Sequence, residues 1–386
     1  MPDLSLPRTR ALLEQGIERG WHLGAQVYVS RGASGGPTSS ALGLGRGELA
    51  VGELAVGERG PGLPMETDTL NIWLSSTKPI TATALAVLWQ RGLLDLDHPV
   101  ARYVPEFAAR GKDGITLRHL LTHTGGIRML NIGWPEASWD EIVATVCAGR
   151  PEPRWRPGHK AGYHLASSWF VLGEVVSRVA GHPFPEFVRA ELFEPCGMHD
   201  TWIGMPEDRF EAYGDRIGRM YASVNGKRTE RGWHRMPHVV GCSPGGNGYG
   251  PIRELGRFYE MLLRRGVTEQ GHRLLQPATL EALTTPHRVG LYDHTFKQKL
   301  DWGLGFIVNS AHYGAELVPY GYGRHASRRT FGHSGFQSSV GFADPEHDLA
   351  VALVTNGNPG EPTHTERFEA LTEAIYVDLD LAEAAD

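Results

Sequence analysis

The stretch Trp73-Leu74-Ser75-Ser76-Thr77-Lys78-Pro79-Ile80-Thr81-Ala82 puts a serine hydroxyl and a lysine amine one helical turn apart. Residues three apart share a helix face, so a helix here brings Ser75 and Lys78 together. The run from Ala82 to Arg91 is rich in helix formers and closes on Gly92, which is a helix stop. Ser75 therefore belongs at or near a helix N-terminus, where free N–H groups and the dipole favour developing negative charge. A serine at its ordinary pKa is a poor nucleophile and needs an adjacent base. A lysine becomes that base once burial depresses its pKa. The plainer reading of the same residues is the polar first turn of an ordinary helix.

Composition leaves few other function classes open. The 386 residues are 41% hydrophobic and 21% charged, as in an ordinary globular protein, and are long enough for two closely packed regions. A net charge of −6 gives no reason to expect nucleic acid. Cys147, Cys196 and Cys242 are scattered and odd in number, which argues against a disulfide framework. No run of about eighteen apolar residues is present to span a membrane. Residues Met1 to Arg8 lack the apolar core of a secretory signal, so a cytoplasmic enzyme is expected.

Along the chain, Ala25–Ser30 reads as a strand, with a Gly/Ser/Pro-rich turn at Arg31 to Ser40 and irregular strand and loop up to Gly62. Helical patterns dominate from Pro79 to Leu263, broken by loops at Asn131–Trp139 and Pro151–Gly162. Strand signals return at Trp302–Val308, Gly332–Asp344 and Leu349–Thr355, the last two forming a hairpin, and Thr365–Asp378 reads as a terminal helix. Strands at both ends with helices between predict an α/β (α+β) protein. Its regions are 1–74 with 264–386 (sheet and terminal helices) and 75–263 (mostly helical), with the active site at their junction.

Gly32-Ala33-Ser34-Gly35-Gly36 fits the Gly-x-Ser-x-Gly nucleophile elbow, which needs a strand, a tight turn and then a helix. Pro37, Thr38, Ser39 and Ser40 come next instead and no helix pattern starts. Ser34 is expected to be a turn residue.

The segment Thr67 to Pro79 resembles the active-site segment of the serine β-lactamase and penicillin-binding-protein superfamily. Gly92 to Val100, Tyr103 to Phe107 and Ile115 to Ile127 are similar to the next segments of class C β-lactamases and family VIII esterases. Gly303-Leu304-Gly305-Phe306 and Phe331-Gly332-His333-Ser334-Gly335-Phe336 continue the series in order. The resemblance runs from Gln26 to Asn356 and implies an antiparallel sheet flanked by terminal helices, with an inserted helical region. It implies a tyrosine before a Leu-Leu-Gly helix as the third catalytic element, and Tyr163, ahead of Val171-Leu172-Gly173 at a spacing about one residue longer than typical, is the candidate. It also implies that the N–H groups of Ser75 and Phe336 form an oxyanion hole. His333-Ser334-Gly335 stands where β-lactamases carry Lys-Thr-Gly and would border the substrate. Two departures count against β-lactam turnover: Leu165 replaces an asparagine, and His333 removes a cation that would hold the substrate's carboxylate.

Other clusters are weaker. His119 and His123 are spaced like helix metal ligands but lack a third partner, so no metal is expected, and no cofactor is implied. Tryptophans are numerous around the presumed site; Trp155 and Trp169 are the candidates for a substrate wall, against the commoner role of core packing. Arg324, His325, Arg328 and Arg329 read as a solvated loop. The expected function is a serine hydrolase acting on a small-molecule ester or amide through an acyl-Ser75 intermediate. The alternative is transfer of the acyl group to an amine or alcohol acceptor, and a non-catalytic binding protein is the third reading. Oligomeric state has no signature in the sequence.

Overall fold

The computed structural model describes residues 3–36, 42, 48–224, 227–314 and 321–383. Helix α1 (Pro7–Glu18) leads into β1 (Gly24–Arg31), β2 (Ala50–Gly60) and β3 (Leu63–Pro64). Helices α2 (Lys78–Gln90), α3 (Ser167–Ala180) and α4 (Ile252–Leu263) dominate the middle of the chain. Strands β4 (Asp301–Trp302), β5 (Ile307–Val308), β6 (Phe331–Gly335), β7 (Ser339–Asp344) and β8 (Leu349–Thr355) precede the terminal helix α5 (Glu361–Asp378). The eight strands form one antiparallel sheet in the order β4-β5-β6-β7-β8-β1-β2-β3.

Both chain ends build this sheet because β8 is apolar on both faces and needs a partner on each edge. Leu349, Val351 and Leu353 face one core, with Leu13 of α1 and Leu371 and Ile375 of α5. Ala350, Ala352 and Val354 face the other, with Leu255 and Tyr259 of α4. That period-two partition is what an extended chain imposes. Small residues let α4 close on the sheet: a Cβ on Gly256 would lie against the Tyr28 ring, and one on Gly341 against Tyr259. Tyr28 donates a hydrogen bond to Glu260 at 2.8 Å. Thus α4 lies on the sheet, although the division at residue 263 grouped it with the helical region.

One local expectation needs correction. The segment before Gly62 contains a regular eleven-residue strand, β2, paired along the whole of β1. Its glycines obscure an alternation in which Leu54 and Val56 point inward. Residues 37–41, within the expected Gly/Ser/Pro turn and the segment after it, lie outside the described residues. The mostly helical middle region also carries short strands. Asn71–Ile72, Gly248–Gly250 and Trp202–Ile203 form a small sheet, and Tyr221–Val224 pairs with Lys227–Glu230.

Among the described residues no helix is long and apolar enough to cross a membrane. Ser34 sits in an exposed turn; its hydroxyl donates to Asp348 at 2.6 Å.

Candidate active site

Ser75 lies in a short 3-10 turn, Leu74–Thr77, that runs directly into α2. Pro79 suits this position because the first helical residues have no intrahelical N–H bond to lose. The turn is anchored on both sides. Trp73 donates its backbone N–H to Gly248 at 2.8 Å and its indole N–H to Gly250 at 3.1 Å. Ser76 donates to the carbonyl of His333 at 3.1 Å, tying the turn to β6. Gly335 is required at the end of β6, because a Cβ there would overlap the Trp73 carbonyl and Ser339 Oγ. This close approach carries Phe336 to the edge of the serine turn.

The first eleven residues of α2 are buried, Lys78 among them. Its Nζ lies 2.9 Å from Ser75 Oγ, 2.7 Å from the Gly245 carbonyl and 3.0 Å from the Leu165 carbonyl. An ammonium donates to all three. A neutral amine keeps both carbonyl bonds and turns its lone pair to the Ser75 hydroxyl. Burial without a carboxylate partner holds the Lys78 pKa well below its ordinary value near 10.5. Gly245 reaches Nζ because it has no side chain: a Cβ would fall 2.7 Å from the Trp169 ring.

Tyr163 completes the group. Burial raises its phenol pKa above the ordinary value near 10, and the neighbouring Ser75 side chain offsets part of that rise. Lys78 Nζ sits 5.0 Å from the centre of the Tyr163 ring. The ring is wedged among His123 at 4.7 Å, Phe296 at 4.8 Å, Trp302 at 5.9 Å and His333 at 5.9 Å. His333 is fully buried; desolvation, and then the charge of Lys78, push its pKa down to about 3. It is a neutral wall at neutral pH. Ser334 and Gly335 are also buried, while Phe336 presents a half-exposed ring.

The remaining candidates separate. Trp155 is half-buried beside the loop, its indole N–H donated to the Thr124 carbonyl at 2.8 Å. Trp169 has no exposed surface and lies 5.4 Å beneath Lys78 Nζ, so it shapes the lysine's pocket from below and presents no wall to a substrate. His119 caps the helix Leu117–Leu121 through Thr116, and His123 packs between Tyr163 and Trp302.

Sequence reasoning missed the two carbonyls that hold Lys78 and the surroundings of Tyr163. The Gly245-Gly246 pair was a visible sign of close backbone approach; the carbonyl of Leu165 had no signature. Backbone strain marks the same place. Leu74, His123 and Gln337 are non-glycine residues with φ of +49°, +56° and +47°, and each adjoins or contacts a residue of the site.

The sequence model of the Beta-lactamase family, described as Beta-lactamase, matches residues 9–375. The chain is 28% identical over 323 residues to "Esterase/beta-lactamase LipL" of Mycobacterium tuberculosis, covering 78% of this chain and 72% of that protein. It is 30% identical over 333 residues to "Penicillin-binding protein 4" of Amycolatopsis lactamdurans, covering 84% and 81%. Among solved structures, that of a family VIII carboxylesterase superposes with a TM-score of 0.75 at 27% identity, over 97% of each chain. With a match over nearly its whole length, this chain belongs to the Beta-lactamase family.

Proposed function

We propose that this protein is a serine hydrolase that cleaves a small-molecule ester or amide through an acyl-Ser75 intermediate. The observation that carries the reading is Lys78 Nζ, deeply buried, 2.9 Å from Ser75 Oγ and held by two backbone carbonyls. Ser75 Oγ attacks the substrate carbonyl carbon while its proton passes to Lys78. Tyr163, whose raised pKa keeps it a phenol at neutral pH, relays that proton to the leaving oxygen or nitrogen. The N–H groups of Ser75 and Phe336 hold the oxyanion, where one such donor is worth about 10²–10³ in rate. Water then attacks the acyl-serine, a proton returns to Ser75 Oγ, and the acid leaves.

His333 and Leu165 support an ester over a β-lactam. A histidine that is neutral at neutral pH offers no cation to a β-lactam carboxylate, and half of the Leu165 side chain is exposed where an amide would be needed. The likeness to a family VIII carboxylesterase fits this choice.

The test is intact mass after exposure to a fluorophosphonate, with peptide mapping of the adduct. The label should land on Ser75 and not on Ser34; folded protein that leaves Ser75 unlabelled overturns the reading. Turnover of a short-chain or aromatic ester with millimolar amines and alcohols then separates the outcomes. Hydrolysis indifferent to every acceptor supports the hydrolase, and negligible hydrolysis with rapid transfer to one acceptor replaces it with a transacylase.

A further inference from the structure

The backbone of Tyr163 is gripped by a segment 130 residues further along the chain. Asp293 Oδ1 accepts the Tyr163 N–H at 3.2 Å, and Thr295 Oγ1 donates to the Tyr163 carbonyl at 3.1 Å. The same Asp293 oxygen accepts the N–H groups of Thr295 at 2.8 Å and Phe296 at 3.0 Å, which shapes its own turn. The other oxygen pairs with Arg288 Nη2 at 2.7 Å, and neither side chain has any exposed surface. His294 donates its N–H to Ala161 at 2.9 Å, so the two segments also meet through backbone. Thr295 in turn accepts from Arg128 at 3.0 Å, and Arg128 forks onto Glu152.

A fully buried ion pair is an expensive way to stabilise a fold, since desolvation offsets most of the attraction. Here it also fixes three N–H groups around one carboxylate oxygen, one of them belonging to the tyrosine whose ring lies 5.0 Å from Lys78 Nζ. The Phe296 ring packs 4.8 Å from the Tyr163 ring at a tilt of 39°, so the turn bears on both the backbone and the face of the phenol. Small displacements of a proton-transfer group are costly because transfer demands hydrogen-bond distance.

We propose that Asp293, locked by Arg288 and seconded by Thr295, is a positioning residue that holds the Tyr163 hydroxyl on Ser75. The role rests on the proton-relay reading of Tyr163, and the experiment separates the two. Removing one partner alone would leave a buried unpaired charge, so both are neutralised together. Asp293→Asn with Arg288→Gln keeps a carbonyl oxygen for the Tyr163 N–H; Asp293→Leu with Arg288→Met removes it.

The folding of each pair is checked by thermal melting, and acylation is followed by the fluorophosphonate rate and by hydrolysis of p-nitrophenyl acetate. The Asn/Gln pair should acylate within about tenfold of the parent, and the Leu/Met pair about a hundredfold slower with KM nearly unchanged. In a Tyr163→Phe background the Leu/Met pair should add less than about threefold, because its effect runs through that phenol. Deuterium uptake by the peptide containing Tyr163 should accelerate in the Leu/Met pair only. Equal acylation by the two pairs, or an undiminished loss in the Tyr163→Phe background, overturns the assignment. If the Leu/Met pair does not fold, Thr295→Val decides: acylation should fall about fivefold at unchanged melting temperature, and an unchanged rate overturns the proposal. If the parent protein is never labelled on Ser75, the relay reading fails. The deuterium uptake still decides whether Asp293 holds Tyr163: unchanged uptake in the Leu/Met pair overturns it.

Discussion

Lys78 Nζ donates to the carbonyl of Gly245, 167 residues downstream, at 2.7 Å. The bond holds the amine against Ser75 and leaves it little freedom to turn away. It also depends on the absence of a side chain, since Gly245 is pressed against Trp169. Gly245→Ala should therefore destabilise the protein by about 1–3 kcal/mol through overpacking. Acylation should drop with it, as the carbonyl moves off Nζ. Thermal melting and the fluorophosphonate rate check both; an alanine variant with parental stability and rate would show that the contact is slack.

Lys78→Ala and Tyr163→Phe should each leave the protein folded and lower acylation by about 10²-fold or more, the size expected for a lost general acid or base. Wild-type acylation in either folded variant would remove that residue from the mechanism.

Burial holds Lys78 well below its ordinary value near 10.5, so the amine loses its proton at lower pH than an exposed lysine does. The acylation rate should reach its plateau well below pH 10. A rate that keeps climbing through pH 10 would mean that Lys78 titrates like an exposed lysine.

Leu165 holds Lys78 through its carbonyl, at 3.0 Å, while its side chain is half exposed. Leu165→Asn should then leave fluorophosphonate labelling within about threefold of the parent, because the backbone contact is untouched. A collapse of labelling would show that the leucine side chain itself supports the lysine.

Stability should decline in acid for a reason separate from catalysis. Burial pushes His22, His164, His333 and His364 down to about 3, whereas an unfolded histidine titrates near 6.5. Between those values the unfolded chain binds more protons, so stability is complete above about pH 6.5 and is lost as the pH falls toward 3. Each histidine contributes up to about 1.4 kcal/mol per pH unit in that window. Urea midpoints between pH 4 and 8 measure the slope; a midpoint that does not move would show these imidazoles to be hydrated.

The local order of the chain determined a good deal. Three-residue spacing placed Ser75 and Lys78 on one face, and the apolar run Leu349–Thr355 marked a strand. The motif series also carried the family and its α/β sheet, and Tyr163 in its Leu-Gly helix context was legible for the same reason. Tertiary structure decided what those residues are worth. Burial of Lys78 depends on Trp169 beneath it and on carbonyls of Leu165 and Gly245, and a carbonyl is the same chemical group at every position. The grip of Asp293 on Tyr163 spans 130 residues and is made to a backbone N–H, so neither residue's identity announces it. Trp169 shows the converse: its sequence context suggested a substrate wall, and only the packing of α3 under α2 put it out of reach of solvent. Side-chain type and spacing are local and can be read along the chain. Desolvation and backbone contacts are made between distant segments, and they exist only once the chain has folded.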